Sequence, residues 1–117
     1  MNHDPWQAGV ELFRAGHYFE THEEWEVAWR DAPPAERDFY QGMVHVTVAL
    51  YQAGRDNAVA ARSQMRKAKR RLAGYGAHHR PVPHGVELKR LLPEAEQAVE
   101  NLLAGKSWEE ICSRPAI

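Results

Sequence analysis

Apolar positions along the chain recur at helical spacing in one block after another. Asp4 ahead of Pro5 predicts an N-cap and a proline at the first helical position, and Trp6, Val10 and Phe13 follow on one face up to a stop at Gly16. At 100° per residue from Tyr18, the next block points Tyr18, Trp25 and Trp29 within about 20° of one direction, with His22 at about 40° and Glu26 at about 80°. Glu20, Glu24 and Asp31 fall on the opposite, solvated side. Pro33 and Pro34 break the chain and seed a third helix through RDFYQGMVHVTVALYQAG to Gly54. Phe39, Met43, Val46 and Leu50 make one of its faces and Tyr40, Val44 and Tyr51 another, which predicts a central helix with a narrow polar stripe of Gln41, His45 and Gln52. The alternation in MVHVTVALY also suits a strand, but no second segment offers itself as a pairing partner, which favours helix.

Asp56 or Asn57 can cap a fourth helix whose stripe of Ala58, Ala61, Met65, Ala68 and Leu72 predicts close approach to a neighbour. GYGAHHRPVPHG, from Gly74 to Gly85, reads as a linker. Leu88, Leu91 and Leu92 open another apolar stripe, and Pro93 predicts a break there. A new helix with Ala95, Val99 and Leu102 would then run to Gly105. Ser107 and Glu110 match a capping box for a last turn that tucks in Trp108 and Ile111. The expected fold class is all-α, a compact helical bundle of about five helices with short connections, in one domain over residues 1–117.

With 44% hydrophobic residues in 117, one modest core can form without metal or disulfide staples. Cys112 is the single cysteine and has no partner for an internal disulfide. The N-terminus lacks a basic stretch followed by an apolar run, and no window approaches the roughly 20 apolar residues that span a bilayer. A cytoplasmic protein with no membrane partner is expected. Fifteen basic against sixteen acidic residues leave a formal charge of -1, which disfavours nucleic acid as a partner. The charge is unevenly placed, however. Glu20, Glu23, Glu24 and Glu26 make the early part acidic, and residues 62–71, RSQMRKAKRR, carry six cations and no acid.

YFETHEEWEVAWR resembles the bacterial and archaeal family known as domain of unknown function 309. Its signature is a histidine, a glutamate four residues on and a tryptophan three later, here His22, Glu26 and Trp29. The likeness includes Phe13, Gly16, Tyr18, Phe19, Glu20 and Glu23, then YQGMVHVTVALYQ, then Gly54, Asn57, Ala58, Lys67 and Ala68, and so covers roughly residues 6–92. It departs from the family at His45, where many members carry a second glutamine, and at Gln52, where they often carry a histidine. The resemblance implies a compact helical bundle and names no reaction and no cofactor.

His22 and Glu26 at i, i+4 share a helical face with Glu23 close by, and His45 could reach them from the central helix. Imidazole and carboxylate together suit a small-molecule site or a first-row divalent metal, which makes His22, Glu26 and His45 candidate ligands and Gln41 an accessory; a hydrolase-type reading would make Glu26 or Glu23 the general base with His22 as its proton partner. HEEWE is not His-Glu-x-x-His, so metalloprotease chemistry is not indicated, and no Ser or Cys sits in a nucleophile motif. The competing structural reading makes Glu26 and His22 a satisfied polar lock between helices, with Tyr18, Trp25 and Trp29 as packing in a binding or assembly domain. A third reading holds phosphates on Arg62, Arg66, Lys69 and Arg70, continued by His78, His79 and Arg80, against the simpler solvated face. A central helix with several apolar faces also suggests burial against a second copy in a homodimer.

Overall fold

The computed structural model describes residues 3–77, 79–107 and 117. Five α-helices follow in order: α1 (Pro5–Arg14), α2 (Tyr18–Asp31), α3 (Pro34–Gly54), α4 (Ala58–Leu72) and α5 (Leu88–Leu103), with a single 3₁₀ turn at Pro83–Gly85 ahead of α5. The described residues contain no strand, only an isolated bridge between Tyr75 and Arg80, so the fold is the all-α bundle expected. The expected last turn with Trp108, Glu110 and Ile111, and also Cys112 and His78, lie outside the described residues.

Local chemistry sets the helix starts. Asp4 Oδ1 accepts from the backbone N–H of Trp6 at 3.0 Å and of Gln7 at 3.3 Å, and Asn57 Oδ1 accepts from that of Ala60 at 3.2 Å. Gly16, at φ 81, turns the chain from α1 into α2. α3 is the central helix: α2, α4 and α5 all pack on it, while α1 lies against α2. Phe39, Met43, Val46, Ala49 and Leu50 on α3 are all at most 1% exposed.

Two glycines are there for close approach. A methyl group at Gly9 would overlap the Trp25 indole, and one at Gly42 would sit 2.5 Å from Leu72 Cγ. They let α1 approach α2, and α3 approach α4, across large side chains.

The break expected at Pro93 does not occur, for α5 runs unbroken from Leu88 to Leu103 through that proline. Pro93 is exposed, and the buried positions Leu88, Leu91, Ala95, Ala98 and Val99 continue on the other side of the helix. Losing one backbone hydrogen bond near the start of a helix costs less than abandoning a five-residue apolar stripe that packs on α3 and α4.

Candidate functional site

α2 carries the signature residues, and its geometry starts with His22. Nδ1 lies 2.9 Å from the carbonyl oxygen of Phe19, one turn back. A carbonyl can only accept, so Nδ1 bears the proton and donates. The other nitrogen, Nε2, faces Glu26 Oε1 at 3.3 Å. A neutral imidazole held this way turns a lone pair toward a carboxylate, and the contact becomes attractive only when a proton or a donor group stands between them. The His22 side chain is 23% exposed and that of Glu26 49%, so the pair sits at the surface.

Beside the pair, Tyr18, Phe19, His22, Val48, Tyr51 and Gln52 line a cavity of about 210 Å³ between α2 and α3. Phe19 meets His22 edge-on at 5.3 Å and Tyr51 at 5.5 Å, yet is itself 46% exposed. An aromatic left this open on a folded surface is a group available for contact. Arg55 Nη1 donates to the Tyr51 hydroxyl at 2.9 Å.

The other candidates are not gathered into one cluster. Tyr18 and Trp25 are buried in the core; Trp29 is half-buried, with the Arg37 guanidinium 4.6 Å from its ring centre. Glu23 is exposed and Gln41 half-buried. His45 turns toward α4, where its Nδ1 and Gln64 Oε1 are 2.6 Å apart. Burial pushes the His45 pKa down, the cations Lys67, Arg71 and Arg70 push it the same way, and the Gln64 hydrogen bond opposes them. His45 therefore does not join His22 and Glu26. Among the described residues no three His, Cys, Asp or Glu side chains stand together as a metal would need.

The basic helix is partly neutralised by its neighbours. Arg62 makes a two-pronged contact with Glu100 at 2.8 and 3.1 Å, Lys69 meets Glu96 at 3.0 Å, and Arg71 meets Asp38 at 3.2 Å. Asp38 also faces Arg80 at 3.5 Å. The Arg62 guanidinium holds the Glu100 carboxyl below its ordinary range. Of the four cations expected to form a phosphate ridge, two are thus committed to α5, and Arg66 and Arg70 remain on the exposed face.

One histidine had not been singled out. His84, at φ 58 in the Pro83–Gly85 turn, stacks on Trp6 at 4.3 Å and 6° and shares a 2.7 Å hydrogen bond with the Tyr40 hydroxyl. Trp6 stacks in turn on Trp25 at 4.9 Å, and the Trp25 indole N–H donates to the Trp6 carbonyl at 3.2 Å. Burial, then the charge and hydrogen bond of Glu36, push the Tyr40 hydroxyl up to about 12, which keeps it protonated. Burial lowers the His84 pKa, against Asp4 and Glu36. The sequence held one signal for this turn, the Pro-His-Gly triplet, but nothing in it points to Trp6.

Comparison with known proteins adds a family and a relative. The family model described as Domain of unknown function (DUF309) matches residues 6–64, half of the chain, from α1 into α4. The uncharacterized protein YpuF of Bacillus subtilis (strain 168) is 34% identical over 104 residues, which is 87% of this chain and 58% of that protein. The chain thus spans little more than half the length of this relative. No solved structure matches.

Proposed function

This chain belongs to the domain-of-unknown-function 309 family, and we propose that it is a ligand-binding helical domain whose site is the cavity between α2 and α3. The observation that carries this reading is the setting of His22. It is fixed through Nδ1, presents Nε2 to Glu26, and sits at the wall of an apolar cavity beside an exposed phenylalanine. The ligand class that fits is small, with an apolar or aromatic body for the cavity and a protonated amine for the mouth. The amine would donate to Glu26 and to the His22 lone pair together. The proposal takes residues 1–117 as one domain working in the cytoplasm, where the lone Cys112 stays reduced. No helix among the described residues is long and apolar enough to cross a membrane.

The reading as a structural lock has weaker support. A pair this open to water contributes about 1 kcal/mol at most. Benzylamine titrated into ¹⁵N-labelled protein tests the proposal. Saturable shifts centred on Phe19, His22, Tyr51 and Gln52, weakened about tenfold by Glu26→Gln, are expected. Shifts scattered over the surface, or unchanged in Glu26→Gln, would sink it.

A further inference from the structure

α3 lies between α2 and α4, and the three helices form a layer that the rest of the bundle covers from one side. The buried residues of α1 and α5 join the same core cluster as Phe39, Met43 and Val46, which fixes that side. At 100° per residue, Gln41, Val44, His45, Val48 and Gln52 point the opposite way along α3, and all five are only half-buried. Among the described residues no further helix is present to cover them.

The uncovered strip runs between two edges of opposite charge. α2 lines one with the exposed Glu23 and Glu26, and α4 lines the other with the exposed Lys67 and Arg70. Their heights match. Phe19 meets Tyr51 at 5.5 Å and the Arg37 guanidinium lies 4.6 Å from the Trp29 ring centre, which sets α2 antiparallel to α3 and brings Glu26 near the level of Val44. His45 pairs with Gln64 and Asp38 with Arg71, which brings Lys67 near the same level from the other side. Between the edges stand Val44, Val48 and the open ring of Phe19.

Two-fold symmetry decides how such a face can meet itself. An axis lying in the plane of contact and parallel to α3 carries the acidic edge of one copy onto the basic edge of the other, so acid meets base twice. An axis in that plane but perpendicular to α3 lays acid on acid and base on base. We infer that the α2–α3–α4 face pairs with the same face of a second copy about a two-fold axis parallel to α3, with Glu23 and Glu26 of each copy set against Lys67 and Arg70 of the other. Val44 and Val48 meet their own counterparts at the centre. The α2–α3 cavity lies toward the Gln52 end of the strip, and association is read with no ligand present, so this inference stands or falls apart from the amine reading.

Sedimentation equilibrium of the full chain is the test. At roughly 100 μM, well above a micromolar dissociation constant, the parent should be dimeric. Val44→Asp should weaken association about tenfold or more by placing two carboxylates at the centre. Reversing one edge, by Glu23→Lys with Glu26→Lys or by Lys67→Glu with Arg70→Glu, should weaken it about tenfold, and all four changes together should restore it to within about threefold of the parent. A monomeric parent overturns the inference. So does a dimer that survives Val44→Asp, or one indifferent to reversal of a single edge. The edge positions are exposed, so those variants should keep the parent's far-ultraviolet circular dichroism and carry the test even where Val44→Asp unfolds the chain.

Discussion

Among the described residues, two histidines meet aromatic rings, and they do so in opposite ways. His84 lies flat on Trp6 at 4.3 Å and is tied to Tyr40, in a stack that continues through Trp25 to Phe13. His22 meets Phe19 edge-on at 5.3 Å, with its remaining nitrogen aimed at a half-exposed carboxylate. The same residue types close one region and leave the other open. What separates them is burial of the partner ring: Trp6 is 7% exposed and Phe19 46%. Where the aromatic is sealed, the histidine completes packing; where it is open, the histidine lines a cavity.

This contrast predicts a gradient of mutational cost. The largest effect is expected at the sealed end, where Gly9→Val drives a branched side chain into the Trp25 indole and should cost about 3 kcal/mol or more in urea unfolding. Trp25→Ala should cost a similar 3–5 kcal/mol by opening a cavity beneath Trp6. A change below 1 kcal/mol in either would mean that α1 is not firmly docked on α2. At His84, replacement by alanine gives up the stack and the Tyr40 hydrogen bond, for an expected loss of about 1–2 kcal/mol.

Titration sharpens the comparison next. Both His45 and His84 have folded pKa values below the ordinary histidine value, so the unfolded chain binds protons more readily than the fold does. Their contribution to stability is therefore present above the unfolded value of about 6.5 and is lost as pH falls from there through the lowered values. Melting temperature should drop by a few degrees between about pH 7.5 and pH 5, and His45→Gln with His84→Asn should flatten that part of the profile. An unchanged slope in the double variant would assign the effect to carboxylates. The smallest effects belong to the open end. His22→Ala and Glu26→Gln should each move stability by about 0.5 kcal/mol or less, and a loss of 2 kcal/mol would restore the lock reading.

Much of the fold was legible because it rests on short-range chemistry. The Asp4 and Asn57 caps, the Pro33–Pro34 break, and the small-residue stripe of α4 all act within a turn or two of where they stand. Pro93 misled because a local rule met a longer-range one: its neighbours on the other side of α5 are buried, and a single residue's backbone cost gives way to that. The candidate site was half legible. The i, i+4 spacing brings His22 and Glu26 together, and 100° per residue correctly left Tyr18 and Trp25 inside. Wheel angles could not show that α4 supplies Gln64 to His45, or that Glu100 and Glu96 reach across to Arg62 and Lys69. The stack of His84 on Trp6 was out of reach for the same reason, since the two residues are 78 positions apart and meet only once the bundle has formed.

The Trp6–Trp25 stack has an optical consequence. Two indoles with centres 4.9 Å apart and planes 14° from parallel have coupled transition dipoles, so their absorption acquires a rotational strength that neither ring has alone. Because one ring belongs to α1 and the other to α2, that signal exists only while the two helices are docked. The protein thus carries its own chromophore pair, a built-in gauge of whether its first helix is seated, readable without a label.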